Sequence, residues 1–241
     1  MTSLHTNRGA KRAREARAQL GLAPAKPLPC VLTLIEQHVK LPVVVTAMPP
    51  NVAGACYRLG DHTLLWVNGA QALVRQRFTL AHELGHAWCR HDGELEVDSV
   101  ETLSGHTTNE YEIQANAFAA ELLMPKACME ELIDGDPTLE EVVVIAAHLG
   151  VSAIALVYRL KQLRLASSKR IDQLEAEIKD DNLHEATFER LGLHRFDDRL
   201  ARLEQLPYLS PALAGTELDA ALRGDLAESS PIAGAVARML V

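Results

Sequence analysis

The stretch that decides the fold is Leu73 to Trp88, and at its heart lies His82-Glu83-Leu84-Gly85-His86. Leu73, Phe78, Leu80, Leu84 and Trp88 recur at a helical period, so the HExxH string is read as part of one amphipathic helix. Residues i and i+4 share a helix face with Cβ atoms about 5 to 6 Å apart, which lets His82 and His86 offer imidazole nitrogens to one cation. Glu83 is rotated around the helix from the first of them. Its carboxylate can serve water held at that cation without ligating it, the position of a general base.

A catalytic zinc usually takes three protein ligands and keeps one position open, so a third His, Asp or Glu should come from a neighbouring element. A second helix, expected from Asn109 to Met124 and closed by Pro125, supplies Glu112, 26 residues after His86. Its small residues Ala115, Ala117, Ala119 and Ala120 favour close helix packing. Glu112 is the first choice for the third ligand, with Glu110, His106 and His91 also within loop reach. His91 is expected to point away from the His82/His86 face. Asn116, at i+4 from Glu112, is placed to accept a ring N–H from a ligating histidine. Glu121, nine residues past Glu112, is too far along the helix to share the site and reads as a solvated carboxylate.

Outward from these helices the chain divides by composition. Of 241 residues, 48% are apolar, enough for a substantial core. The net charge of -8 disfavours a protein held to nucleic acid by bulk charge. Residues 1–29 carry six basic side chains against the single acid Glu15, and read as a solvated basic tail with a Pro-rich linker. A first helix is expected over Val31 to Val39, ending before Pro42. Three β-prone pieces follow, Val43 to Thr46, Ala55 to Leu59 and Thr63 to Val67, the last two joined by Gly60-Asp61-His62 as in a hairpin. They predict a small, twisted, mainly antiparallel sheet, and Asp92 to Thr108 shows only mixed turn signals. Cys30, Cys56, Cys89 and Cys128 are scattered singly, which fits reduced thiols in a cytoplasmic protein and not a thiolate zinc site. No apolar run approaches the length of a membrane span.

The residues Arg75 to His86, then Glu112 to Asn116, then Phe118 to Pro125 resemble, in that order, the ImmA/IrrE family of metallopeptidases, HExxH zincins of the gluzincin type. Leu64-Leu65-Trp66-Val67-Asn68 also looks like that family's strand leading into the motif helix, so the resemblance covers roughly residues 31 to 163. It implies an α+β, zincin-like fold over residues 30–135. It implies a hydrolase: a zinc-dependent metallo-endopeptidase, with manganese as an alternative metal. His82, His86 and Glu112 would be the ligands and Glu83 the catalytic acid/base. The expected substrate is a regulatory protein, a helix-turn-helix transcriptional repressor whose cleavage relieves repression in mobile-element or stress-response control. Tyr111 and His106 are candidate oxyanion donors. Ala55 to Leu59 or Thr63 to Val67 would receive the substrate peptide by strand addition.

Residues 136–165 read as a helix-turn-helix-like unit, with Ala146, Gly150 and Leu156 in the places of its small residue, turn glycine and core anchor. Its second helix carries Ile154, Leu156, Val157, Leu160 and Leu163 but only Arg159 and Lys161 as cations. A role in packing or in holding a protein partner is therefore favoured over DNA reading, and no DNA-binding residue is assigned. Residues 166–241 read as a mostly helical C-terminal region without a chemical motif. The alternative function is a DNA-binding or partner-sequestering regulator with a non-catalytic metal site; it would depend on Arg159 and Lys161.

Overall fold

In the computed structural model, residues 2–59, 62–91, 95–103, 107–194, 196, 201, 208–215 and 219–220 are described. Helix α1 (Thr2–Gln19) is followed by α2, a single turn Val31–Thr33 that runs into a π-helical segment Leu34–Val39. Lys40 closes the π-helical segment in the left-handed region, at φ 65°, ahead of Pro42. Strands β1 (Val43–Thr46), β2 (Val52–Leu59) and β3 (His62–Asn68) then lead into α3 (Leu73–Cys89). After β4 (Leu95–Ser99) and the single turn α4 (Val100–Leu103) come α5 (Glu110–Leu123), α6 (Lys126–Leu132), α7 (Leu139–Leu149), α8 (Ala153–Leu163), α9 (Ser168–Lys179) and α10 (Asp181–Arg190). A two-residue strand β5, Tyr208–Leu209, completes the sheet.

The sheet order is β4-β2-β3-β1-β5. Alternation along the strands sends Val43, Val45, Cys56, Leu65 and Val67 into the main core beneath α3, and Val44, Ala55, Leu64 and Trp66 into a smaller cluster on the opposite face. Asn68, fully buried at the end of β3, accepts the Met48 and Ala70 amides through Oδ1 and presents Nδ2 to the carbonyls of Met48, Pro49 and Val52. That amide pins the start of β2.

The sheet is mainly antiparallel, as the sequence predicts: three of its four strand pairings are antiparallel and β1 with β3 is parallel. Two other expectations are corrected. The stretch of mixed turn signals contains β4, antiparallel to β2. With β4 on one side and β3 on the other, β2 has no edge to give, and β3 is likewise flanked by β2 and β1. Neither strand can receive a peptide by strand addition. Among the described residues the outer edge on this side belongs to β4.

The N-terminal segment is not solvated. Ala13 and Ala16 of α1 are fully buried, and Ala10 nearly so, on the face that packs against α5. Arg17 donates to Leu122 O at 2.7 Å and to the Ala23 and Lys26 carbonyls at 2.6 Å each, binding α5 and the Pro-containing connection together. Small residues at a spacing of three let α1 approach α5 closely, and the cationic side chains reach past the contact to carbonyls and carboxylates. A second buried arginine, Arg77 of α3, donates to Leu28 O and Pro29 O and fixes the same connection from the other side.

Helix α7 begins with a capping box between Thr138 and Glu141 and ends at Gly150 in the left-handed conformation. Ser152 caps α8, which departs from α7 at 103°. Val142, Val143, Ala146, Leu149, Leu156, Val157 and Leu160 join the same buried cluster as α3, α5 and α1. Two charged residues also lie inside: Glu121 and Arg159, both about 2% exposed, form an ion pair, and Arg159 Nε donates to Met124 O at 3.0 Å. Glu121 is therefore a buried carboxylate and not a solvated one, because α8 brings it a guanidinium from 38 residues away and Arg14 approaches it at 3.6 Å. No single helix among the described residues is long and apolar enough to cross a membrane. The C-terminal stretch from residue 221 onward lies outside the described residues.

Candidate metal centre

α3 runs between the sheet and α5, and its central turns, Thr79 through His86, are buried throughout. Gly85 is the point of closest approach. A Cβ there would stand 3.2 Å from Ala115 Cα and from Phe118 Cβ, so a larger residue inside the motif would push α5 away. Close packing brings Glu112, in the first turns of α5, over the two motif histidines.

His82 Nε2 and His86 Nε2 are 3.0 Å apart. Glu112 Oε2 lies 3.2 Å from His82 Nε2, and Glu112 Oε1 3.5 Å from His86 Nε2. A tetrahedral ion with bonds of 2.0–2.1 Å separates its donors by about 3.3 Å, so these nitrogens and oxygens have the chemistry and the spacing of a zinc site. The three side chains singled out as ligands thus converge.

A fourth group joins them. Asp98 Oδ2 is 3.3 Å from His82 Nε2 and 3.9 Å from His86 Nε2, and His82, His86, Asp98 and Glu112, all buried, offer donor atoms within 4.8 Å of one another. Asp98 escaped the sequence reading because it sits on β4, in a stretch without a clear period. The available signal was its alternation with Glu96 in Glu94-Leu95-Glu96-Val97-Asp98, a pattern common on any solvated strand.

The outer nitrogens of the histidines are also held. Asn116 Nδ2 donates to Thr102 O at 2.9 Å, which orients the amide so that Oδ1 accepts from His82 Nδ1 at 3.0 Å and turns the His82 Nε2 lone pair into the cluster. His91 Nδ1 lies 3.1 Å from His86 Nδ1. Contrary to expectation, His91 therefore does not point away from His86. It folds back because the helix ends at Arg90 in the left-handed conformation, and its own amide returns to His86 O at 3.2 Å. Tyr111 stacks on His91, with ring centroids 4.6 Å apart. Glu110 is turned outward, its side chain 64% exposed and 3.5 Å from His5 Nε2. His106 lies outside the described residues.

Glu83 is fully buried beside the cluster, and no hydrogen-bond donor reaches either carboxylate oxygen among the described residues. Gly54 of β2 makes room for it: a Cβ at that position would meet Glu83 Oε1 at 2.7 Å, Thr79 Cγ2 at 2.6 Å and Trp66 O at 2.8 Å. Burial, reinforced by the Asp98 charge, pushes the Glu83 carboxyl well above the usual range. For His82 burial works to lower the pKa, but hydrogen bonding and charge from Asp98 and Glu112 outweigh it and raise it to about 9. Burial would raise Glu112, yet the two histidines pull it well below the normal carboxylate range. The pocket is a concentrated negative field around two imidazoles, a setting that favours a cation.

Comparison with known proteins agrees with this geometry. Residues 40–161 match the model of the peptidase M78 family, described as an IrrE N-terminal-like domain. The chain is 34% identical over 104 residues to the radiation response metalloprotease IrrE of Deinococcus radiodurans, covering 42% of this chain and 32% of that protein. It is 32% identical over 122 residues to the protein of the same name from Deinococcus deserti, covering 50% and 43%. The chain thus spans less than half the length of either relative. With the family match covering half of its residues, and two histidines, an aspartate and a glutamate gathered within it, the chain belongs to the IrrE N-terminal-like family of M78 peptidases.

Proposed function

We propose that this protein is a metal-dependent endopeptidase that cuts a regulatory protein, a helix-turn-helix transcriptional repressor, and so relieves repression. The observation that carries the reading is the convergence of His82, His86 and Glu112 at 3.0 to 3.5 Å with the buried carboxylate of Glu83 beside them. A cation-binding protein has no need of that further, non-ligating carboxylate, whereas peptide hydrolysis does.

His82, His86 and Glu112 would hold a zinc ion, with manganese as an alternative. Such an ion supplies Lewis acidity, polarising a carbonyl and lowering the pKa of water to about 7. Glu83 takes the proton from the attacking water and delivers it to the leaving amine, a role for which its buried place beside the cluster suits it. Asn116 and His91 hold the two imidazole rings against rotation. Tyr111, stacked on His91, remains a candidate oxyanion donor.

Beside the centre lies a cavity of about 1020 Å³, walled by Phe78, Leu103, Ile113, Asn116, Ile154 and Tyr158 among others. It lies between the peptidase helices and α8 and provides an apolar surface for the substrate protein, in line with a partner-holding role for α8. The DNA-binding alternative loses support. Arg159, one of the two cations it needs, is buried and committed to Glu121, and Lys161 faces Glu175 at 3.2 Å.

The test is incubation of the metal-loaded wild type and Glu83→Gln with a candidate helix-turn-helix repressor from the same organism, reading fragments by intact mass. Cleavage by wild type alone supports the reading. A repressor that is bound yet left intact under zinc and manganese would favour sequestration.

A further inference from the structure

The same site, taken as the metal centre proposed above, contains one ligand too many. A catalytic zinc site keeps a coordination position open, whereas a site with four protein donors is closed. Here His82, His86 and Glu112 already supply three donors, and the fourth is Asp98, 3% exposed, with Oδ2 at 3.3 and 3.9 Å from the histidine nitrogens. We propose that Asp98 closes the metal centre by taking the fourth coordination position, so that the conformation described here is an inhibited one that opens when Asp98 withdraws.

Three features place Asp98 there. It pairs across the sheet with Gly54, so the two residues share a face, and that face is the one turned to α3. Gly54 lacks the side chain that would press on Thr79 and Glu83 of α3, so the sheet lies close against the motif helix at the point where Asp98 pairs. The register shifts between Val52 and Gly54, leaving Ala53 as the extra residue of a bulge; such irregularities re-aim side chains next to functional sites.

Asp98 also faces both of the groups between which the reacting water must lie. Its oxygen lies 3.3 Å from His82 Nε2, the spacing of two donors on one ion, and its charge bears directly on Glu83. A carboxylate in that place keeps water from being activated. Opening has a natural trigger, because β4 is both the strand that carries Asp98 and, among the described residues, the outer edge of the sheet on this side. An extended peptide adding to that edge acts on the element that holds the closure.

The experiment uses the full chain loaded with Co2+ in place of zinc, as wild type, Asp98→Asn and Asp98→Ala, titrated with acetohydroxamate while visible absorption is recorded. The expected result is a four-coordinate spectrum in wild type that the hydroxamate perturbs only weakly. Both variants should retain cobalt and bind the hydroxamate tighter by about tenfold or more. Equal hydroxamate affinity in wild type and variants would overturn the closure, since the fourth position would already be open. Loss of cobalt from both variants would overturn it too, because Asp98 would then be an indispensable ligand. Wild type that takes no cobalt at all would instead sink the metal-centre reading on which the closure rests.

Discussion

Gly54 of β2 stands so close to Glu83 of α3 that a single methyl group at Gly54 would lie 2.7 Å from Glu83 Oε1. The strand backbone thus forms one wall of the compartment that holds the Glu83 carboxylate, and the glycine is required by space and not by backbone conformation. Gly54→Ala is expected to displace the Glu83 carboxylate by a few tenths of an ångström or more while leaving His82, His86 and Glu112 in place. Misplacement of a reacting group on the order of 1 Å costs about 10²-fold, so kcat/KM should fall by about one to two orders of magnitude with metal content unchanged. Steady-state kinetics alongside metal analysis checks this; full activity in Gly54→Ala would show that the wall is not tight.

Asn116 fixes His82 through a hydrogen bond of 3.0 Å and is itself fixed by Thr102 O. Removing a group that orients a ligating histidine typically weakens metal binding by about 10 to 100-fold. Asn116→Ala should do so with little change in thermal stability of the metal-free protein. Competition titration against a chelator of known affinity measures it, and wild-type zinc affinity in this variant would remove Asn116 from the site.

The Glu121–Arg159 pair ties α5, the helix carrying Glu112, to α8. Taking away one partner leaves a buried charge, which costs about 3 to 5 kcal/mol, whereas replacing both with apolar residues is often nearly neutral. Arg159→Met should therefore lower the urea midpoint strongly, and the double variant Glu121→Leu/Arg159→Met should recover most of the loss. If the single variant were as stable as wild type, the pair would not be buried in solution as it is in this fold.

Residues 2–19 are expected to be part of the cooperative unit, since Ala13 and Ala16 are fully buried and Arg17 bonds to Leu122 O. Removing them uncovers the face of α5 opposite the metal centre. A chain lacking residues 2–19 should melt well below the full chain and bind a hydrophobic dye; an unchanged melting temperature would return the segment to a solvated tail.

How far these features were legible in the sequence follows from how local their causes are. His82, Glu83 and His86 were readable because helical spacing alone sets their relation, and Glu112 with Asn116 because one more helix repeats the same rule. Asp98 was not, since its place depends on the register of β4 against Gly54, 44 residues earlier, and no period within its own strand reveals a partner. The return of His91 to His86 depends on Arg90 adopting a left-handed conformation, which an arginine does not announce. Glu121 read as a surface carboxylate until Arg159 arrived from α8. The basic N-terminal segment hid its packing face in alanines, which carry little hydrophobic signal but permit close helix contact. In the sheet, the parallel pairing of β1 with β3 and the addition of β5 from residue 208 are choices of topology that strand propensity does not encode.

In the proposed function, His82, His86 and Glu112 hold a metal on which Glu83 acts without ligating it. The most direct test is zinc titration of the metal-free wild type, Glu83→Gln and Glu112→Ala, with the dissociation constant as the readout. One zinc per chain is predicted, held by Glu83→Gln about as tightly as by wild type and by Glu112→Ala about 10²-fold or more weaker, a difference of about 2.7 kcal/mol. Wild-type affinity in Glu112→Ala, or loss of zinc in Glu83→Gln, would contradict the assignment.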